Sequence, residues 1–267
     1  MAAVTGEDVA RARAAVAQRA PLVQCLTNSV VQTITANALL AAGAAPAMVD
    51  NVHEAAPFAA VASAVLVNVG TLDDVKATAM ALAAGAARAH GTPWVLDPVA
   101  VGGLEFRTRV ARDLLEHAPT VVRANASEVL GLAGAGAGGR GVDATDGVED
   151  AVEAARALSS RTGGAVAVSG TVDVVVHAGR TVRVPGGHEL LTRTTGAGCS
   201  LGALVAAYAG VEPDPLVAAV AAHLHVAVAA ERAAERAAGP GSFATAWLDE
   251  LDAVDAGALG AAAGRLA

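Results

Sequence analysis

A formal charge of −8 over 267 residues, with no basic run and only 2% aromatic residues, excludes a nucleic-acid-binding module. Hydrophobic residues make up 54% and charged residues 16%, so the chain can supply a large buried core, and its length suits one large α/β domain or two small ones. Cys25 and Cys199 offer neither a disulfide framework nor zinc spacing, and the stretch holding Glu7 and Asp8 lacks the basic-then-apolar order of a signal peptide, so a reducing cytoplasm is expected.

Along the chain, apolar β-type runs alternate with alanine-rich helical runs. Strands are predicted over residues 22–26, 47–49, 64–69, 94–96, 120–123, 165–169 and 172–177. Most are continuous apolar runs, as strands covered on both faces require. Helices are predicted over 29–43, 72–90, 106–117 and 148–162, with Thr5, Thr71 and Asp146 each preceding acidic residues as N-terminal caps. From Gly196 the chain reads as almost all helix, over 198–210, 214–239 and 241–255. Strand–helix–strand order repeated this way predicts a mainly parallel sheet with helices on both sides. No domain boundary stands out, so residues 1–267 are read as one domain. Two uncharged windows, 55–72 and 194–211, are long enough to span a membrane, but their alanine and glycine content, with Pro57 and Asn68 in the first, reads as buried helix and strand. Residues 131–141 (GLAGAGAGGRG) are too glycine-rich for a stable helix and are expected to form a mobile surface loop; without a following Lys-Ser/Thr pair they are not a Walker A loop.

Ligands of an open parallel sheet collect at the carboxyl ends of its strands. The residues just past the apolar runs are Thr27 and Asn28, then Met48, Gly70 and Thr71, Asp97, Arg123 with Asn125 and Glu128, and Ser169 with Gly170. Asp97-Pro98 suits either a turn or an oxygen ligand for Mg²⁺. In Asn125-Ala126-Ser127-Glu128 the Glu reads as half of a capping box, or as a carboxylate beside metal-bound water. Arg123 needs a partner, which could be Asp97, Glu128 or a phosphate. Ser169-Gly170 is a turn or a phosphate contact. Met48 is core, or lines an apolar pocket for a flat sulfur-containing ring.

The segment Thr194–Thr195–Gly196–Ala197–Gly198–Cys199–Ser200 is the most pointed of these. Its glycines allow a tight turn and close backbone approach, and the helix that follows directs its first N–H groups at an anion such as phosphate. Cys199 is either an inert core thiol or, at the helix mouth, one whose pKa falls so that it serves as a nucleophile or weak base. Cys25 reads as core, and His223 and His225, two apart on one helix, as structural or at a subunit contact.

Seven segments in order, from Cys25-Leu26-Thr27-Asn28 through Pro46-Ala47-Met48, Asn68-Val69-Gly70-Thr71-Leu72, Leu96-Asp97-Pro98-Val99, Arg123-Ala124-Asn125-Ala126-Ser127-Glu128 and Val168-Ser169-Gly170 to Thr195-Gly196-Ala197-Gly198-Cys199, resemble the hydroxyethylthiazole kinase family of the ribokinase-like superfamily. The resemblance covers residues from about 20 to about 230. It implies a three-layer α/β/α fold, and phosphoryl transfer from ATP to the alcohol of 4-methyl-5-(2-hydroxyethyl)thiazole in thiamine salvage. It also implies Mg²⁺ and a cytoplasmic homotrimer with active sites between subunits. By position, Met48, Gly196 and Asn28 would line the thiazole site, Arg123 and Ser169 would contact ATP, and Asp97 and Glu128 would serve the metal and phosphates. Cys199 would stand where many ribokinase-like enzymes carry an aspartate base. The chain departs from the family pattern at Ala124, Ser169, Thr171 and Ala197, where Gly, Thr, Glu and Thr are common.

Three rival activities are consistent with parts of this pattern. One is another ribokinase-like reaction, a pyrimidine kinase or a nucleotide-dependent dehydratase, which Met48 and Cys199 disfavour. Another is a cysteine hydrolase built on Cys199, which would need a histidine in reach. The third is a nucleotide-binding subunit without catalysis, which the intact Asp97, Glu128 and Gly196–Cys199 segment disfavours.

Overall fold

A computed structural model of the chain describes residues 3–134 and 147–267. Eight strands form one sheet in the order β2-β1-β3-β4-β5-β6-β7-β8. They are β1 (Leu22–Leu26), β2 (Ala45–Ala47), β3 (Ala64–Asn68), β4 (Trp94–Asp97), β5 (Val121–Asn125), β6 (Ala165–Ser169), β7 (Val172–His177) and β8 (Arg180–Pro185). The first six pair in parallel, and β7 pairs antiparallel with both β6 and β8. The six parallel strands therefore end on one edge, and that edge carries the polar residues discussed below.

Two apolar layers cover the sheet. One holds Val9, Leu39, Leu204, Val220 and Trp247 from α1 (Gly6–Arg19), α2 (Gln32–Ala41), α8 (Ala197–Ala209), α9 (Pro215–Arg236) and α10 (Pro240–Ala253). The other holds Met80, Leu114, Val129 and Leu158 from α4 (Asp74–His90), α5 (Glu105–Leu114), α6 (Ala126–Ala133) and α7 (Gly147–Thr162). Adjacent residues of a strand face opposite layers, as in β3, where Leu66 packs with the first and Val65 and Val67 with the second. Helix α9 is the only helix among the described residues long and apolar enough to cross a membrane, and 89% of its apolar window is buried inside the fold. The window 194–211 is occupied by α8, and the window 55–72 by the short helix α3 (Ala55–Ala59) and β3.

The structure corrects several sequence boundaries. The edge strand expected over 47–49 lies at Ala45–Ala47, so Met48 follows it. Helix α2 starts at Gln32, three residues after the expected 29, and ends at Ala41. Strand β8 was not anticipated; only Val182 and Val184 of it are buried, alternating with Thr181 and Arg183. A last helix, α11 (Ala256–Ala262), follows α10. The cap of α4 is Asp73, whose side chain accepts the Lys76 N–H, and not Thr71. Thr71 instead has a positive φ of 42°, and its hydroxyl accepts the Ser29 N–H at 3.0 Å, tying the loop after β3 to the end of β1. Thr5 forms a full capping box with Asp8. Asp146 lies outside the described residues.

The glycine-rich segment is also partly helical. Gly131, Leu132 and Ala133 complete α6, and Gly134 caps it with φ of 78°. A Cβ on Gly131 would come within 2.7 Å of Gly102 Cα, so here glycine permits contact between the helix and the loop after β4. Residues 135–141 of the expected loop lie outside the described residues.

Candidate active site

At the carboxyl edge of the sheet, side chains from five strand ends form one continuous polar row. Asn28, two residues past β1, donates through Nδ2 to Asn68 Oδ1 at 3.1 Å. Asn68, the last residue of β3, donates through Nδ2 to Asp97 Oδ2 at 2.7 Å and accepts the Gly70 N–H at 3.0 Å. Asp97, the last residue of β4, stands beside Asn68 in the parallel register. Its other oxygen, Oδ1, is buried without a hydrogen-bond partner and lies 3.8 Å from Arg123 Nη1. Arg123, in β5, donates through Nη2 to Ser169 Oγ at 2.9 Å, at the end of β6.

Helix α8 lies across this row. Asn28 Nδ2 also donates toward Cys199 Sγ at 3.5 Å, so the cysteine faces the row as the sequence suggests. Gly198 seats the Arg123 guanidinium, because a Cβ there would lie 3.4 Å from Nη1. Gly202, one turn on, lets Asp97 approach, since a Cβ would stand 3.1 Å from Oδ2. Gly196 caps the helix with φ of 90°, where an added Cβ would lie 2.5 Å from Ile34 and 3.1 Å from Val31. We predict that Gly196→Ala costs about 2 kcal/mol or more, from the left-handed backbone and the close approach together. Denaturant unfolding tests this: a midpoint within error of the parent would show that neither constraint holds.

The electrostatics follow from burial. Removing Asp97 from water pushes its carboxyl up to about 7, against the Arg123 charge, with the Glu128 carboxylate adding to the rise and the Asn68 hydrogen bond opposing it. For Cys199 the structure chooses between the two readings that the sequence left open. Its thiol is raised, not lowered, because burial and the neighbouring Asp97 charge outweigh the hydrogen bonds from Asn68 and Asn28 and the more distant Arg123. At neutral pH it is a protonated thiol. Cys25 is fully enclosed, pushed up to about 12 by burial alone, and is core.

Glu128 performs the capping its spacing suggests. Asn125 Oδ1 accepts the Glu128 N–H at 2.9 Å, Glu128 Oε2 accepts the Asn125 N–H at 3.0 Å, and Oε1 accepts the Ala100 N–H at 3.0 Å. The carboxylate thus bridges the loops after β4 and β5 and enters the site through its field on Asp97. Met48 is half-buried against the same apolar layer as Ile34 and is joined to the row by no hydrogen bond. The structure therefore brings Asn28, Asp97, Arg123, Ser169 and Cys199 together, sets Gly196 and Glu128 at the margins, and places Met48 just past β2, in the apolar layer that also holds Ile34 beside Gly196. Asn68 is the member that sequence reasoning does not single out. Its signal was an amide interrupting the apolar run 64–69. The histidines separate as expected for one helix: His225 meets Tyr208 and the Leu251 carbonyl, while His223 meets Asp173.

A row of this kind beneath a glycine-opened helix is set up to hold an anion and a cation side by side. The hydroxyethylthiazole kinase family model matches residues 14–257. The chain belongs to this family. It is 80% identical over 267 residues to the hydroxyethylthiazole kinase of Kineococcus radiotolerans, covering 99% of this chain and 97% of that protein. It superposes on the solved hydroxyethylthiazole kinase structure from Pyrococcus horikoshii with a TM-score of 0.85 at 38% identity, over 92% of this chain and 93% of that one. The pyridoxal kinase of Staphylococcus aureus, solved with AMP-PCP and pyridoxal, matches with a TM-score of 0.60 at 16% identity over 79% of this chain and 88% of its own, so the two chains share an α/β fold.

Proposed function

We propose that this chain phosphorylates the hydroxyl of 4-methyl-5-(2-hydroxyethyl)thiazole with ATP, in thiamine salvage, at the row running from Asn28 to Ser169. The observation that carries the assignment of the site is the chain Asn28–Asn68–Asp97–Arg123–Ser169 crossing under the opening of α8. Phosphoryl transfer needs positioning and charge neutralisation more than covalent chemistry, and this row offers both. Arg123, braced by Ser169, takes the ATP phosphates. The N–H groups of Gly198 and Cys199, in the first turn of α8 where no helical carbonyl can pair them, receive the charge on the transferred group. Gly196, Asn28 and Met48 line the thiazole alcohol.

The residues fit a magnesium ion. Among the described residues no group of three or more His, Cys, Asp or Glu could cage a metal, which suits an ion held mostly by substrate phosphates. The free buried oxygen of Asp97 is a hard donor of the right kind, with Glu128 acting through water. When bound, Mg²⁺ offsets the phosphate charge.

Cys199 sits beside the alcohol in this reading but, held as a thiol by burial and by Asp97, it is a poor proton acceptor. Its role is therefore modest. Cys199→Ser is expected to retain turnover within about tenfold, well short of the loss on removing an essential base, and Cys199→Asp to remain active. Total loss in both variants would overturn the assignment.

A cytoplasmic homotrimer with sites between subunits belongs to the same reading. Val30, 66% exposed and two residues past Asn28, supplies apolar surface near the site, and both cysteines are free thiols. The deciding assay is ADP formation with Mg²⁺ and ATP, with and without the thiazole alcohol. Alcohol-dependent ADP supports the kinase. ATP-independent hydrolysis of esters would favour a cysteine hydrolase, and nucleotide binding without turnover a non-catalytic subunit.

A further inference from the structure

Asp173 and His223 have no part in the chemistry above, yet they are built into its nucleotide end. Asp173 lies in β7, four residues past Ser169. Its Oδ1 accepts the Gly170 N–H at 2.9 Å, closing the turn between β6 and β7. Its Oδ2 receives the Nδ1–H of His223, 2.6 Å away. His223 comes from the long core helix α9, and its side chain is fully enclosed. Its Nε2 is buried without a partner, so Asp173 is the one hydrogen-bond partner of the ring among the described residues. An apolar residue would fill this position at lower cost, since half of a buried imidazole is left unsatisfied. What the imidazole does that an apolar residue could not is fix the Asp173 carboxylate, and through it the Ser169–Gly170 turn.

Arg123 is tied to the same turn. Its Nη2 donates to Ser169 Oγ, and its charge acts on Asp173 directly. Burial pushes the Asp173 carboxyl up, but His223, the Gly170 N–H and Arg123 bring it below its usual range, so it is ionised and both oxygens are engaged on the protein side. A fixed anion whose field reaches Arg123, with both of its oxygens already engaged, helps orient the guanidinium without forming a hydrogen bond to it.

We propose that Asp173 and His223 are positioning residues for the nucleotide, holding the Ser169–Gly170 turn and, through Ser169, the Arg123 guanidinium in the geometry that grips the ATP phosphates. This rests on the reading of Arg123 and Ser169 as ATP contacts. Small misplacements of such groups are costly in a reaction that depends on positioning.

The test is steady-state kinetics with ATP and the thiazole alcohol varied separately, alongside thermal melting. His223→Leu and Asp173→Asn are expected to raise KM for ATP about tenfold, while KM for the alcohol stays within about twofold. His223→Asn, whose amide nitrogen falls near the place of Nδ1, should recover most of the loss. A lowered Tm with unchanged KM for ATP would make the pair merely structural, and parallel rises in both KM values would remove its link to the nucleotide; either overturns the proposal. If His223→Leu does not fold, Asp173→Asn decides, since it keeps an acceptor for the Gly170 N–H. Arg123→Ala separates the two levels. An unchanged KM for ATP there would overturn the nucleotide reading itself. A raised one, with Asp173→Asn normal, would overturn only the positioning role.

Discussion

Asp97→Asn is expected to abolish turnover, by about 10³-fold or more, while raising the melting temperature of the ligand-free protein at pH 8. The two effects have one origin. Asp97 is fully buried, with one oxygen on Asn68 and the other without a hydrogen-bond partner. Folding lifts its carboxyl from 3.8 to about 7, through burial first and the Glu128 charge second, against Arg123. Between those values the folded protein still holds a proton that the unfolded chain has released. Wild-type stability therefore falls as pH rises through this window, and the loss is complete above the folded value. A shift of this size corresponds to a penalty on the order of 4 kcal/mol. Asparagine keeps the shape and an acceptor for Asn68 but carries no charge, so it escapes the penalty and loses the oxygen that would serve the metal. The Tm difference between variant and wild type should be near zero at pH 4 and grow to several degrees by pH 8, without Mg²⁺ or ATP. A variant less stable than wild type at pH 8 would show that the Asp97 charge is already compensated. Full activity in the variant would remove Asp97 from the site.

The way these residues meet also explains what the sequence made legible. The parallel strands were readable because both faces are covered, so β3 and β6 appear as apolar runs closed by one polar residue, and β1 as a run interrupted only by Gln24. Strand β8 escaped because it is only half-covered, with Arg180 and Thr181 before its two buried valines and Arg183 between them. Asp97, Arg123 and Ser169 were accessible to reasoning because a charge or hydroxyl at the end of an apolar strand has to be placed somewhere. Asn68 was harder to notice, since its amide is satisfied entirely by the row and looks from the sequence like an interruption. Asp173 and His223 lie fifty residues apart and meet only because β7 packs under α9. The sequence left Cys199 two readings because it shows the helix terminus, which lowers a thiol, but not the burial and the Asp97 carboxylate that raise it. The last turn of α6, Gly131–Ala133, packs against Gly102 from another loop, a contact that no local propensity records.

Arg123→Ala should be the second most damaging change, lowering kcat/KM for ATP by about 10²–10³-fold at pH 7, and part of that loss should be recoverable by raising the pH. The guanidinium has two duties. Nη2 is anchored on Ser169 Oγ and Nη1 lies 3.8 Å from Asp97, over Gly198. Alanine removes the proposed phosphate contact at every pH. It also removes the charge that holds the Asp97 carboxyl down, so that carboxyl rises above about 7 and is mostly protonated in the free enzyme at neutral pH. Alkaline pH restores the Asp97 charge but not the phosphate contact. The variant should therefore gain more activity than wild type between pH 7 and pH 9. Arg123→Lys separates the duties. Its ammonium restores a positive charge near Asp97 and with it the wild-type pH profile, but it cannot engage Ser169 and a phosphate oxygen as a planar fork does, so kcat/KM stays about tenfold down. If alanine and wild type show the same pH dependence, Arg123 does not control Asp97. If lysine is fully active, the site needs the charge and not the shape.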